Sequence, residues 1–245
     1  MTPKMPTRIA LVTGANRGIG LEVARQLGQQ GMTVIVTARD QQKADSAAQE
    51  LIAEGLNVIA RTVDVSDDSS VRALAEDLNT QFGHLDVLVN NAAAYVDWTE
   101  TASSADLGAV QTVLETNLFG AWRMTQALLP LLRKSSAARV VNVSSGAGSH
   151  GDTQSGLRTN RGAVASYGIS KAALNALTVK FAVELEGSGI LVNATCPGLT
   201  ATAPGMEAMG ARPVVDGARS VVWAALLPDD GPTGGFFRDG QSLPW

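Results

Sequence analysis

Short apolar runs alternate with longer amphipathic segments along nearly the whole chain, and this alternation restricts the fold most. The runs have consecutive Val, Ile and Leu residues, as in strands buried on both faces, and the longer segments have a helical period. The predicted strands are Ile9–Thr13, Thr33–Thr37, Val58–Val63, Asp86–Asn90, Arg139–Ser144, Leu191–Thr195 and a weaker Gly235–Phe237. The predicted helices are Gly18–Gln30, Gln41–Glu54, Ser69–Phe82, Asp106–Arg133, Tyr167–Glu186 and Val214–Leu227. This order predicts one α/β domain over residues 1–245, with a doubly wound parallel sheet of about seven strands and helices on both faces.

Composition excludes several classes of function. The net charge is −4 and no Lys/Arg run is present, so we expect neither nucleic-acid nor membrane partners. Segment 1–8 is short and polar, unlike a signal peptide, and no apolar run reaches the roughly 18 residues of a membrane span. The single cysteine, Cys196, forms no internal disulfide, and we expect it in the core. Together these features predict a cytoplasmic protein, and no His/Cys/acid cluster has metal-ligand spacing.

A glycine-rich turn joins the first strand to the first helix. Within residues 13–20, Gly14 permits a tight turn, Gly18 lets backbone approach a phosphate, and Gly20 lets helix and strand pack closely. The helix N-terminus would present free N–H groups to a pyrophosphate. The turn therefore predicts a Rossmann-type dinucleotide site, and a glycine turn without a ligand is the alternative.

A second set of polar residues follows later strands. Tyr167 and Lys171 are four positions apart and share one face of a predicted helix, and Ser145 ends the fifth strand. Such a pair alone is more often a surface feature. A tyrosine can deliver a proton to a forming alkoxide. Its ordinary pKa near 10 is too high for efficient acid–base catalysis near neutral pH, and a neighbouring ammonium group such as that of Lys171 lowers this pKa.

These motifs resemble those of the short-chain dehydrogenase/reductase family over the whole chain. The turn has the family's Thr-Gly-x-x-x-Gly-Ile-Gly form, and Tyr-x-x-x-Lys is its active-site signature. Asp64-Val65, Asn90-Asn91-Ala92-Ala93 and Pro197–Thr202 match further motifs, with Ala93 in place of the usual glycine. The C-terminal third is similar to the carbonyl-reductase branch.

The resemblance implies roles for individual residues. Tyr167 donates the proton, Lys171 assists it and binds the nicotinamide ribose, and Ser145, rather than Ser144, holds the substrate oxygen. Asn117 kinks the long helix and holds a water that relays protons to Lys171, although a mid-helix asparagine is otherwise more often exposed. The implied cofactor-binding residues are Gly14, Asn16, Arg17, Gly18, Ile19, Gly20, Arg39, Asp64, Val65, Asn91, Ala92, Tyr167, Lys171, Pro197, Gly198, Thr200 and Thr202.

Two arginines favour NADPH over NADH. Arg39 follows the second strand, where NAD enzymes commonly place an acid, and a guanidinium there can bind a 2′-phosphate. Arg17 resembles the second basic residue of NADPH-preferring members. The alternative is that both are solvated, with Asp40 pairing with one of them.

The implied function is NADPH-dependent reduction of a ketone or aldehyde to an alcohol. An alcohol dehydrogenase working oxidatively on a secondary alcohol, sugar or steroid is the first alternative, and a non-catalytic NADPH-sensing regulator is the second. Irregular segments 146–165 and 199–212 are predicted to form the substrate pocket, with the latter as a lid. Ser145 and Tyr167 are 22 positions apart, so an insert covers the helical face and a monomer is favoured over a dimer or tetramer.

Overall fold

The computed structural model describes residues 7–245 and contains one sheet of eight strands. The strand order is β3-β2-β1-β4-β5-β6-β7-β8, and all neighbours are parallel except the antiparallel pair β7–β8. The strands are β1 (Ile9–Val12), β2 (Thr33–Ala38), β3 (Val58–Thr62), β4 (Val87–Asn90), β5 (Arg139–Val143), β6 (Leu191–Thr195), β7 (Phe236–Arg238) and β8 (Gln241–Ser242). The predicted doubly wound parallel sheet is confirmed.

Seven α-helices within residues 7–245 cover the two faces of the sheet. They are α1 (Gly18–Gln29), α2 (Gln41–Ala53), α3 (Asp68–Gln81), α4 (Leu107–Leu114), α5 (Ala121–Leu132), α6 (Ala165–Glu184) and α7 (Val214–Ala225). One apolar cluster joins α3, α5 and α6 to the sheet, and a second joins α1, α2 and α7 to the opposite face. Strands β1, β2, β4, β5 and β6 are buried between these layers, which explains their mostly apolar sequences.

Two elements differ in detail from the sequence prediction. The eighth strand was missed because it has only two exposed polar residues, Gln241 and Ser242. The single helix predicted over Asp106–Arg133 is α4 and α5 separated by a π-helical turn, Glu115–Gly120. Gly120 lets this turn approach Val65 closely, since a Cβ at Gly120 would lie 2.7 Å from the Val65 Cγ2 atom.

The order of strands places the ends of β1, β4, β5 and β6 along one edge. The chain reverses its direction of winding between β1 and β4, which are neighbours although β2 and β3 intervene in sequence. Ligands of such sheets bind beyond the carboxyl ends of the strands at this crossover. Over residues 7–245 no helix is long and apolar enough to cross a membrane; residues 1–6 of the polar segment 1–8 lie outside the described residues.

Candidate active site

The turn between β1 and α1 has the geometry that its glycines predict. Gly14 and Gly18 have φ angles of +62° and +57°, which side chains disfavour. A Cβ at Gly20 would lie 2.4 Å from Asn91 Nδ2 and 2.6 Å from the Gly14 carbonyl oxygen. The N-terminus of α1 has no side-chain cap and no acidic residue in its first turn. Its N–H groups and partial positive charge suit a bound anion such as a pyrophosphate.

The end of β4 is fastened to this turn. The Thr13 hydroxyl accepts hydrogen bonds from the backbone N–H groups of Asn91 and Ala92, at 2.9 and 3.0 Å. The Asn91 side chain donates to the carbonyl oxygens of Thr13 and Gly14, at 2.8 and 3.1 Å. The predicted residues Asn91 and Ala92 therefore help to fix the glycine turn, and Thr13 is a contributor that the sequence reading missed.

The two candidate phosphate-binding arginines, Arg17 and Arg39, are exposed. Within residues 7–245 neither forms an ion pair. Asp40 instead caps α2, where its carboxylate accepts a hydrogen bond from the Lys43 N–H at 3.0 Å. The alternative that Asp40 pairs with one arginine is therefore wrong, and both guanidinium groups have their hydrogen-bond donors available.

The other predicted cofactor residues lie along the same sheet edge. Asp64 follows β3, and Ser66 holds one of its carboxylate oxygens through N–H and hydroxyl bonds of 2.9 and 2.6 Å. The Thr202 methyl group lies beside Gly18, since a Cβ at Gly18 would be 3.4 Å away. Asn16 and Ile19 are half-buried in the glycine turn, Val65 is buried behind the π-helical turn, and Pro197, Gly198 and Thr200 follow β6. The glycine turn, the uncapped helix and the two arginines fit a dinucleotide with phosphate groups.

Tyr167, Lys171 and Ser145 come together beyond β5. Burial raises the pKa of Tyr167, and the nearby Ser145 hydroxyl opposes this. Burial also lowers the pKa of Lys171 to about 8. The Lys171 Nζ donates to the Val143 carbonyl oxygen at 2.8 Å and lies 5.5 Å from the centre of the Tyr167 ring.

The pKa of Tyr167 is shifted in the direction opposite to the sequence expectation, which relied on the charge of the lysine. Among the groups of the protein itself, burial of the phenol has the larger effect. Ser144 is buried and donates to Asn175 Oδ1 at 2.6 Å, and the choice of Ser145 as the serine that holds the substrate oxygen stays a prediction. Ser145 is the serine beside the phenol.

Asn117 is buried in the π-helical turn, so the alternative of an exposed asparagine is wrong. Its Oδ1 accepts from the Ala94 N–H at 2.7 Å, and its Nδ2 donates to the Ala94 carbonyl and to Ser170 Oγ, both at 3.0 Å. The side chain therefore clamps the segment after β4 against α6. The expected role of Asn117 in holding a water that relays protons to Lys171 stays a prediction.

Two residues of that clamped segment were missed by the sequence reading. The Tyr95 ring stacks on the Tyr167 ring with centroids 5.3 Å apart. The Glu100 carboxylate accepts hydrogen bonds from Ser166 at the start of α6. The only signal in the sequence was their place in a segment that follows a strand at the ligand-binding edge.

The same segment bounds a cavity next to Tyr95. This cavity of about 610 Å³ is lined by residues 94–97, 99, 100 and 104–106 together with α4 residues 109, 112 and 113.

Cys196 is buried, as expected, and its sulfur accepts hydrogen bonds from the Gly146 N–H at 3.2 Å and from Arg238 at 3.1 Å. The thiol thus joins the start of the predicted substrate segment 146–165 to β7.

Known proteins resemble this chain over nearly its full length. Residues 8–211 match the family model described as short chain dehydrogenase. The chain is 34% identical to carbonyl reductase (NADPH) 1 of Sus scrofa, covering 98% of this chain and 94% of that protein. It is also 34% identical to (−)-isopiperitenone reductase of Mentha piperita, covering 96% and 98%.

Solved structures share the fold. A crystal structure of NADPH-bound carbonyl reductase from chicken fatty liver has a TM-score of 0.85 at 29% identity, covering 98% of this chain and 100% of that one. A structure of actinorhodin polyketide ketoreductase with NADPH has a TM-score of 0.82 at 30% identity, covering 96% and 97%.

Proposed function

Because the chain belongs to the short-chain dehydrogenase family, we propose that it reduces a ketone or aldehyde to an alcohol, with Tyr167 as the proton donor. Membership makes it an NAD(P)-dependent oxidoreductase that acts on a carbonyl or alcohol carbon. The observation that carries the proposal is the meeting of Tyr167, Ser145 and Lys171 at the sheet edge that also holds the glycine turn.

The cofactor is NADP(H), as in the carbonyl reductases that the chain resembles. When bound, NADPH supplies the hydride that the carbonyl carbon accepts. The glycine turn and the N-terminus of α1 would hold the pyrophosphate, and Arg17 and Arg39 would bind the 2′-phosphate with charge-assisted hydrogen bonds.

Side chains of the protein supply the proton and orient the substrate oxygen that receives it. As hydride reaches the carbon, the electron pair of the C=O bond moves to oxygen, and that oxygen takes the proton of the Tyr167 phenol. Burial keeps the Tyr167 phenol protonated at neutral pH but also makes it a weaker acid, so proton transfer needs a nearby positive charge that favours the phenolate. Ser145 would hydrogen-bond the same substrate oxygen and fix its orientation.

Lys171 has a different part in this scheme. It is only 3% exposed, and no carboxylate among residues 7–245 pairs with it. Its pKa of about 8 leaves it largely charged at neutral pH, so the ammonium stabilises a phenolate left after proton transfer. The ammonium has three N–H donors, and one of them is used by the hydrogen bond to the Val143 carbonyl oxygen. A hydroxyl of the nicotinamide ribose could accept a hydrogen bond from one of the other two.

One assay tests the proposal. Purified protein is mixed with NADPH and a panel of ketones, aldehydes and quinones, and loss of the nicotinamide absorbance is followed. In a parallel set, the protein is mixed with NADP⁺ and a panel of secondary alcohols, and gain of that absorbance is followed. We expect turnover of at least one carbonyl. Consumption only of NADP⁺ with secondary alcohols would favour the oxidative dehydrogenase, and NADPH binding without turnover of either panel would favour the regulator.

A further inference from the structure

The helix that carries Tyr167 begins without a cap of its own. Helix α6 starts at Ala165, and the preceding residue, Val164, offers no side-chain acceptor. Val164 also has a φ of +52°, which a β-branched residue rarely adopts. The first N–H groups of a helix lack partners within the helix. The first turn of α6 is therefore not fixed by its own sequence.

Glu100, 66 positions earlier, provides the missing acceptors. Its Oε2 accepts from the Ser166 backbone N–H at 2.9 Å, and the Ser166 hydroxyl lies 3.0 and 2.8 Å from Oε1 and Oε2. Its main-chain carbonyl accepts from the Ala165 N–H at 3.3 Å. Ser166 is only 2% exposed, so water does not compete freely for these bonds.

We infer that Glu100 is a positioning residue for Tyr167, an inference that rests on the proposed function. Ser166 and Tyr167 are consecutive, so the carboxylate holds the backbone next to the phenol. A carboxylate at a helix N-terminus is also favoured by the helix dipole, and hydrogen bonds to a charged group are the stronger kind. Loss of these bonds allows the first turn to fray, which moves the phenol away from the substrate oxygen.

The same geometry separates the effects on Tyr167 and Lys171. Lys171 lies one turn later and is held by its own bond to the Val143 carbonyl. Removing the Glu100 cap should therefore disturb the proton donor more than the cofactor-binding lysine. A merely structural glutamate would instead weaken turnover and NADPH binding together.

The matched control is Asp67, which caps α3 in the same manner. Its Oδ1 accepts from both the N–H and the hydroxyl of Ser69, each at 2.8 Å. Asp67→Ala therefore removes the same kind of cap from a helix that carries no proposed catalytic group. Glu100→Gln is the conservative variant, because its amide oxygen can still accept the Ser166 N–H bond.

The experiment measures kcat, KM and NADPH affinity for Glu100→Ala, Glu100→Gln and Asp67→Ala. A misplacement of about 1 Å costs on the order of 100-fold in rate, so we expect kcat of Glu100→Ala to fall at least about ten-fold. NADPH affinity should stay within about two-fold, and Glu100→Gln should recover most of the lost kcat, since the N–H acceptor is retained. The inference is wrong if kcat is unchanged in folded Glu100→Ala and Glu100→Gln. It is also wrong if kcat and NADPH affinity fall equally in these two variants.

A second readout does not depend on turnover. The chain has two tyrosines, Tyr95 and Tyr167, so ring-labelled tyrosine gives two NMR signals that Tyr95→Phe assigns. In Glu100→Ala the Tyr167 signal should broaden or move toward its position in the unfolded chain, and in Asp67→Ala it should not. An unchanged Tyr167 signal overturns the inference. If the wild-type protein reduces no carbonyl, the proposed function fails while this measurement still decides the role of Glu100.

Discussion

The rings of Tyr95 and Tyr167 stack with their centroids 5.3 Å apart and their planes 19° apart. Tyr95 is held in place because the backbone of Ala94 is clamped by the Asn117 side chain. Tyr95 remains 64% exposed and lines the cavity of about 610 Å³. The Tyr95 ring thus contacts the proposed proton donor and also lines this cavity.

Tyr95 should therefore affect which carbonyls are reduced. We expect Tyr95→Ala to raise KM for aromatic ketones several-fold more than for small aliphatic ones, because an aromatic contact contributes about 0.5–1.5 kcal/mol. Tyr95→Phe keeps the ring and should behave like the wild type. The measurement is kcat/KM over a matched series of ketones, and equal losses for all of them would contradict this role.

Substitution of the proposed proton donor should separate chemistry from binding. Tyr167→Phe removes the phenol proton while keeping the ring against Tyr95, so turnover should fall by at least about 100-fold, as for loss of general acid catalysis. NADPH affinity, measured by fluorescence titration, should stay near that of the wild type. Lys171→Ala should lower both. Turnover of Tyr167→Phe within a few-fold of the wild type would exclude Tyr167 as the donor.

Sequence reasoning found the features that are local in the chain. Strand–helix alternation predicted seven of the eight strands, and the glycine turn and Tyr167–Lys171 spacing depend on neighbouring residues only. The π-helical turn was implied solely as a kink at Asn117, and the hydrogen bonds that hold Asn117 there run to Ala94, 23 positions away. Glu100 was missed for the same reason, since its partner Ser166 is 66 positions distant. The raised pKa of Tyr167 depends on burial, which spacing does not measure.

Arg39 should determine the preference between the two nicotinamide cofactors. Arg39→Asp removes a partner of the 2′-phosphate and adds a repulsive charge, a change of roughly 1–3 kcal/mol for one charged hydrogen bond. The ratio of kcat/KM for NADPH over NADH should therefore fall about 5- to 150-fold. Arg72→Asp makes the same charge change on the exposed surface of α3 and should leave the ratio unaltered. An unchanged ratio in Arg39→Asp would show that Arg39 does not contact the phosphate.

The last residues of the chain hold the predicted substrate segment 146–165. The Pro244 carbonyl accepts from the Ser149 hydroxyl at 2.7 Å, the Trp245 carbonyl accepts from the Gly151 N–H at 2.8 Å, and the Trp245 ring stacks on Phe236 with centroids 5.5 Å apart.

Trp245→Ala should loosen this segment without touching the glycine turn. We expect Tm to fall by about 2–4 °C, from roughly 1 kcal/mol of aromatic contact in a domain of this size. KM for the carbonyl should rise while NADPH affinity holds. Trp122→Ala, on α5, serves as the comparison for loss of a tryptophan. A parallel loss of NADPH affinity in Trp245→Ala would mean that the segment supports the cofactor site instead.

The buried Lys171 should make stability depend on pH in a defined direction. Burial lowers its pKa from 10.5 to about 8, so between these values the unfolded chain binds more protons than the folded protein. Stability from this group therefore rises as pH increases from about 8 toward 10.5, by about 1.4 kcal/mol per pH unit at most. Below pH 8 both states carry the proton, and the burial penalty is present in full.

Lys171→Met tests this dependence because methionine fills a similar volume and has no charge. Urea unfolding of the wild type and the variant at pH 8 and pH 9.5 should show the wild type gaining up to about 2 kcal/mol relative to the variant, the product of 1.5 pH units and the limiting slope. Lys180→Met removes an exposed lysine from the same helix, and its unfolding free energy should follow that of the wild type at both pH values. If the difference between the wild type and Lys171→Met is the same at both pH values, Lys171 does not release its proton in this range. Its ammonium would then be stabilised in the folded protein by more than the single bond to Val143, and the lowered pKa would be wrong.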